Sequence, residues 1–307
     1  MISNFSDGMR IEGQFLLGSA AKSVNNLGSF YYTLELRDAS GSIQGKKWEV
    51  TSEDEKNLVA GNVIFVSGEV VKYRDALQLK VLKATLVNEE DIDFASLLTP
   101  PPVPKEELIK RLNGYVNSIK DKDCYALLSY FINKYKDKLY AYPAGVSVHH
   151  EYSSGLLTHI TSMADLGEFV ASKYQPINRD LLITGILLHD IGKLIELEGP
   201  AIYHYTTEGK LLGHISIMVG ELRIAAKELN ITSEIPVLLE HMVLSHHGQP
   251  DFGSPIMPLT REALLLSMID NLDSKMLVLD KAYEGVPPGE FTQKIYPLDN
   301  RSFYKAK

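Results

Sequence analysis

The run LLITGILLHDIGKL, residues 181–194, places His189, Asp190 and Lys193 within five positions of an otherwise apolar stretch. Burying a charge is costly unless it is paired or bound to a cation, so the stretch reads either as a satisfied polar pair in a core or as half of a metal site. Taken alone, the pair leaves both readings open. All nine histidines, His149, His150, His159, His189, His204, His214, His241, His246 and His247, fall in one third of the chain. Five of them, with two aspartates, sit on or at the end of amphipathic stretches: His159 in GLLTHIT, His189 and Asp190 in LLHDIGK, His214 in LLGHIS, His246 and His247 in LSHHGQ, and Asp270 in SMIDNLD. A single histidine on an apolar helix is ordinarily a hydrogen-bonded core residue. The set, spread over five helical segments, points instead to a metal site, because neutral imidazole and carboxylate are ligands that Mn²⁺, Fe²⁺, Co²⁺, Ni²⁺ and Zn²⁺ accept. On one continuous helix Leu182, Ile186, His189 and Lys193 form a stripe, with Asp190 about 100° away. A stripe apolar at one end and ionisable at the other fits a helix whose end lines a pocket.

The elements that must position these groups follow from periodicity. Residues 155–173, 179–197, 214–229, 234–246 and 261–282 have apolar residues three and four apart, as do KEELIKRLNGYVNSI and DCYALLSYFINKY before them. From about 9 to 88 the pattern is different: GQFLLGSAAK, SFYYTLELRDASGSIQGKKWEV, NVIFVSGEVVKY and LQLKVLKATLV read as short strands of period two broken by turn signals. Tyr32, Leu34 and Leu36 fall on one face, Thr33, Glu35 and Arg37 on the other. About five strands in this length suggest a small closed barrel. Between the halves, LLTPPPVPK carries Pro100, Pro101, Pro102 and Pro104, a semi-rigid linker.

A chain of 307 residues suits one large domain or two ordinary ones, and its 45 % hydrophobic and 23 % charged residues are those of a soluble globular protein. No apolar run approaches a membrane span and the N-terminus has no signal-peptide pattern, so a cytoplasmic protein with no membrane partner is expected. The single cysteine, Cys124, excludes an internal disulfide and reads as a small core residue. The net charge of −8 argues against coating nucleic acid by charge alone. It is unevenly distributed: residues 1–90 carry −2, residues 91–140 carry +1 and residues 141–307 carry −7, where divalent cations would offset part of it.

The order H … HD … H … HH … D, with its second element written HDIGK, resembles the HD-domain metal-dependent phosphohydrolases over roughly residues 145–282. HHEYSSGLLTHI and EGKLLGHI, together with the N-terminal barrel, narrow the resemblance to the YhaM family of bacterial 3′→5′ exoribonucleases, which join an OB-fold to an HD domain. Length and domain order fit that family along nearly the whole chain. The resemblance implies a multidomain α+β protein with a five-stranded OB-type barrel (1–95), a Pro-rich linker (96–104), connecting helices (105–140), an all-α HD bundle (141–290) and a C-terminal tail (291–307). It makes His159, His189, Asp190 and Asp270 the basic metal set, adds His214 and His246 as a second site bridged by Asp190, and places Lys193 near the phosphate. His247 is either a further ligand or a substrate contact. The GYP signature of the cyclic-dinucleotide branch is not found.

The implied reaction is hydrolysis of single-stranded RNA, with single-stranded DNA as a further substrate, to nucleoside 5′-monophosphates. Water activated between two divalent ions, Mn²⁺ favoured, attacks the terminal phosphodiester, with His189, Asp190 and Lys193 as the catalytic group. The competing reading is an HD phosphohydrolase for a small nucleotide or cyclic dinucleotide, with a regulatory barrel. His149 and His150 could touch a phosphate or cap the pocket, or be structural, whereas His204 and His241 read as surface or supporting groups. Asp273 could orient a ligand or be a surface charge. On the barrel, Tyr31, Trp48 and Tyr73 could stack on bases and Lys46, Lys47, Lys72 and Arg74 could meet phosphates, although strand aromatics are usually core. A homo-oligomer, with the barrel docked to a partner subunit, stays open.

Overall fold

The computed structural model describes residues 1–25, 28–74, 76–97, 103–142, 154–199 and 204–307. His149, His150 and most of the proline linker lie outside the described residues. The chain divides into two compact units, Met1–Pro100 with Glu198–His204, and Pro101–Leu197 with Tyr205–Lys307.

In the first unit β1 (Arg10–Val24), β2 (Phe30–Asp38), β3 (Gly41–Lys47), β4 (Val63–Tyr73) and β5 (Ala76–Leu86) close a barrel in the order β1-β2-β3-β5-β4. All pairs are antiparallel except β3 with β5. The period-two face folds inward as expected: Tyr32, Leu34 and Leu36 are buried with Leu17, Ile64, Val66, Val70 and Leu79. One strand is longer than the turn signals suggested: β1 runs on to Val24, bending at a register shift between Leu17 and Ser19, whereas β4 ends at Tyr73 where NVIFVSGEVVKY ends. The short helix α1 (Ser52–Asn57), absent from the sequence reading, enters between β3 and β4 through a capping box in which Thr51 and Asp54 bond reciprocally. A one-turn helix, α2 (Phe94–Leu97), follows the barrel.

The second unit is helical: α3 (Lys105–Ser118), α4 (Lys122–Ala141), α5 (Gly155–Lys173), α6 (Arg179–Leu188), α7 (Lys193–Glu196), α8 (Thr207–Glu228), α9 (Ile235–Ser245) and α10 (Arg261–Tyr283). A two-stranded ribbon, β6 (Leu197–Glu198) with β7 (His204–Tyr205), lies in the α7–α8 connection. Every residue of α6 from Leu181 to Leu188 is buried, as expected of a helix apolar all round. Asn178 caps its start by accepting from the Leu181 N–H.

One expectation is corrected here. The periodic stretch 179–197 is not a single helix: α6 stops at Leu188, and the backbone switches from four-residue to three-residue hydrogen bonds, Ile191 N–H to the Leu188 carbonyl, Lys193 to Asp190 and Leu194 to Ile191. The tighter turns rotate the chain by about 120° per residue rather than 100°. His189 and Lys193 therefore do not share a stripe, and the Lys193 ammonium meets Asp190 instead, at 2.7 Å. The turn also brings Gly192 against α8, where a Cβ would lie 2.2 Å from the His214 carbonyl oxygen. The expected tail, 291–307, is folded too. Phe291 pairs with Tyr304 and Ile295 with Arg301, and a 3₁₀ turn over Tyr296–Leu298 buries Leu298.

Gly192→Ala is expected to lower stability by about 1–3 kcal/mol, because the obstacle is backbone. Gly185→Ala meets the flexible end of Met242 and should cost less. Denaturation midpoints of the full-length variants check the order, and an unshifted midpoint for Gly192→Ala would contradict the close approach.

Candidate metal centre

Four histidines converge at one end of the helical unit, and each is held by its Nδ1. His189 and His246, at the C-terminal ends of α6 and α9, have Nδ1 at 2.8 and 2.7 Å from the carbonyls of Ile186 and Val243. His159 on α5 reaches a carboxylate oxygen of Asp273 on α10 at 2.7 Å, and His214 on α8 reaches Glu196 on α7 at 3.2 Å. Carbonyls and carboxylates only accept, so Nδ1 carries a proton and Nε2 is the nitrogen turned inward. His214 depends on a break in its helix. Gly213, at φ 70°, leaves the helical conformation, and the freed His214 N–H donates to Glu196 at 3.0 Å.

Asp190 sits among these nitrogens, 2 % exposed, and its two oxygens face different groups. Oδ2 lies 3.4 Å from His189 Nε2 and 3.8 Å from His159 Nε2, which is itself 3.4 Å from Asp270. Oδ1 lies 3.5 Å from His214 Nε2 and 3.8 Å from His246 Nε2. His189 Nε2, Asp190 Oδ1, His214 Nε2 and His246 Nε2 are all buried without a hydrogen-bond partner. Leaving one such atom unsatisfied costs about 1–3 kcal/mol, so four together suit an occupant that accepts lone pairs. Cation–ligand distances of about 2.0–2.2 Å put ligand atoms roughly 3 Å or more apart, close to the spacings found. The triads His159–His189–Asp190, His189–His246–Asp270 and His214–His246–His247 each bring their ligand atoms within 4.8 Å of one another.

The charges are mutually dependent. Burial opposes ionisation of Asp190, but Lys193, His189 and His214 outweigh it and hold the carboxyl well below its usual range. Burial likewise works against the charge on Lys193, and Asp190 overcomes it, so its pKa is raised. His159 loses to burial and gains more from Asp270, Asp273 and Asp190, ending pushed up to about 9. Burial, reinforced by His189 and His247, keeps His246 far below its normal value and therefore neutral. A cleft of about 540 Å³ opens beside this group, lined by His159, Asp190, Lys193, His246, His247 and Asp270 on one side and by Lys275, Tyr296 and Asp299 among others elsewhere.

The structure thus brings together His159, His189, Asp190, Lys193, His214, His246, His247 and Asp270. Sequence reasoning missed Glu196, three residues beyond Lys193, and gave Asp273 no firm role; Asp273 also accepts from Ser162 at 2.7 Å. His204 pairs with exposed Glu198 at 3.3 Å, and His241 accepts from the Leu259 N–H at 2.8 Å; neither joins the cluster. On the barrel, Tyr31 and Trp48 stack on one another at 4.8 Å, with the Lys46 ammonium 4.8 Å above the Tyr31 ring. Lys47 is corrected: it is 7 % exposed and turned to Asp54 at 3.5 Å, so it does not present its charge on the surface. Tyr73 is exposed at the β4–β5 turn with Arg74 against its ring, and Lys72 beside it is also exposed. Along β5 the partner of Lys47, Val81, and the partner of Tyr73, Ala76, are five residues apart. Roughly 17 Å of strand therefore separates the two aromatic sites.

Two outcomes follow from the histidine supports and from His159. Glu196→Ala and Asp273→Ala should each weaken Mn²⁺ binding about 10–100-fold, measured by calorimetry; affinity within twofold of the parent would exclude an orienting role. Because His159 is protonated below about pH 9 in the metal-free protein, uptake at pH 7 should release its proton, and affinity should rise about tenfold per pH unit up to that value. Calorimetry in buffers of different ionisation enthalpy would read zero protons released if His159 is not a ligand.

The HD domain family model matches residues 156–275, and the OB-fold nucleic acid binding domain model matches residues 24–87. Among curated proteins, the chain is 42 % identical over 305 residues to the 3′-5′ exoribonuclease YhaM of Geobacillus sp. (strain WCH70), covering 99 % of this chain and 94 % of that one. Among solved structures, similarity extends to the second OB-fold domain of replication protein A from Methanococcus maripaludis (20 % identity, 29 % of this chain and 93 % of that one, TM-score 0.25). It also extends to asparaginyl-tRNA synthetase from Entamoeba histolytica (16 % identity, 45 % and 34 % covered, TM-score 0.25). On the near full-length identity, the chain belongs to the YhaM family of 3′-5′ exoribonucleases.

Proposed function

We propose that this protein is a metal-dependent 3′→5′ exoribonuclease working through two divalent ions, with single-stranded DNA as a further substrate. The observation that carries the reading is Asp190: one oxygen faces His159 and His189, the other His214 and His246, beside an open cleft. His159, His189, Asp190 and Asp270 would hold one ion, and Asp190, His214 and His246 the other. When bound, the ions supply an activated water and neutralise charge on the phosphoryl oxygens; Mn²⁺ is the ion we favour for this His/Asp set.

The chain's own groups have separate tasks. Lys193, held 2.7 Å from Asp190 and facing the cleft, directs its ammonium to a non-bridging phosphate oxygen, where negative charge accumulates as the new P–O bond forms. His247 stands at the cleft beside His246 and contacts the same phosphate or completes the second ligand set. The Tyr31–Trp48 stack with Lys46, and Tyr73 with Arg74, offer the barrel's aromatic and cationic contacts to single-stranded RNA. Water oxygen adds to the terminal phosphorus, the bond to the preceding 3′ oxygen breaks, and that oxygen takes up a proton. A nucleoside 5′-monophosphate and a strand one residue shorter result.

A single-stranded RNA labelled at its 5′ end, incubated with protein and Mn²⁺, should give a ladder shortening from the 3′ end with release of nucleoside 5′-monophosphates. Chelator and Asp190→Ala should both abolish it. RNA left intact by the parent protein would overturn the reading and turn the search to linear and cyclic nucleotides.

A further inference from the structure

The cleft has a second wall that the metal reading does not use. It comes from the C-terminal half of α10 and from the segment beyond it: Asn271, Ser274, Lys275, Tyr296, Pro297 and Asp299. Tyr296 lines this wall while remaining 82 % exposed. A tyrosine on a surface turn is ordinary, but this one stands in a concave site and keeps most of its surface uncovered. Its support is firm. Leu298, two residues on, is buried; the Ile295 N–H donates to the Arg301 carbonyl at 3.0 Å, and the Arg301 N–H and Nε–H donate to the Leu298 carbonyl at 3.1 and 3.2 Å. Pro297 restricts the backbone between them. The ring is thus presented from an anchored turn.

The charges on this wall point the same way. Of the two lysines in the cleft, Lys193 is engaged by Asp190. Lys275 makes no ion pair among the described residues and projects from α10, five residues past Asp270, or about 7.5 Å along the helix axis. Asp299, the acidic residue of the turn, is drawn to Arg301 at 3.1 Å. An enzyme that removes nucleotides of any sequence needs a grip on the base that does not read its edges. Stacking on an aromatic face is such a grip, since every base has a π-face.

We propose that Tyr296 is the platform on which the base of the 3′-terminal nucleotide stacks while its 5′ phosphate lies at the metal centre, and that Lys275 holds the next phosphate upstream. This rests on the exoribonuclease reading. Tyr296 is a positioning residue: it fixes the terminal nucleotide and takes no part in bond making.

The test uses full-length protein, Mn²⁺ and two RNA oligonucleotides differing only in whether the 3′-terminal ribose carries a base or is abasic; the rate of release of that first residue is read. The parent should favour the base-bearing end about tenfold in kcat/KM, in line with stacking energies. Tyr296→Ala should reduce the preference to within about twofold, and Tyr296→Phe should retain it. Lys275→Gln should raise KM on both substrates and reduce the dependence of log KM on log salt by about one. A parent without the preference, or a Tyr296→Ala variant that keeps it, overturns the proposal. So does a fall in the Mn²⁺ affinity of Tyr296→Ala, which would mark the residue as structural. Failure of the parent on both oligonucleotides is a different result, since it removes the exoribonuclease reading itself.

Discussion

The carboxylate of Asp190 is buried at the end of a helix that has no exposed side, and its charge must be balanced there or not exist. Much of the helical unit is arranged to that end. Lys193 balances that charge directly, and imidazole nitrogens from α5, α6, α8 and α9 are gathered around the same carboxylate. Those nitrogens cannot all be protonated in so small a volume, and burial holds His246 neutral. The cluster is therefore rich in lone pairs and short of protons, the condition under which a divalent cation outcompetes hydrogen bonding.

The same local device orients two of the proposed ligands. The last carbonyls of a helix lack intrahelical donors, and at the ends of α6 and α9 a histidine donates its Nδ1–H to the carbonyl three residues back, Ile186 for His189 and Val243 for His246. A helix terminus is satisfied and an imidazole is pinned by a single bond. The other two histidines come from helices that pass the site, have no such terminus to use, and are held by carboxylates from a neighbouring element, Asp273 and Glu196. Each imidazole is thereby fixed by a helix end or a neighbouring carboxylate, the kind of support that a preorganised site requires.

What was legible in the sequence was what depends on residue type and period. Tyr32, Leu34 and Leu36 point inward because alternation dictates it, and the HDIGK element stands out because ionisable groups interrupt an apolar run. The break after Leu188 was not legible: the apolar period continues through Ile191, Leu194 and Leu197, and the change to three-residue bonds reflects the approach of Gly192 to the His214 carbonyl, a tertiary contact. Lys47 reads as a surface charge in the sequence because its partner Asp54 lies in α1, whose six residues, SEDEKN, carry no apolar stripe to announce a helix. Glu196 was hidden among ordinary amphipathic residues. Residues 291–307 have no helical or strand period, since they are ordered by isolated pairings with themselves and by burial of Leu298.

The breadth of the ligand set has a consequence for the chain as a polymer. The proposed ligands run from His159 to Asp270 and come from segments far apart in sequence. With one cysteine, the chain has no internal disulfide available. Ions held at this centre would act as its reversible cross-links, closing long loops that the unfolded chain cannot close, and any free energy of cation binding would also be free energy of folding. On the metal reading, the catalytic cofactor and the staple of the helical unit would be one object, and the resistance of this fold to heat or proteolysis would become a function of cation supply.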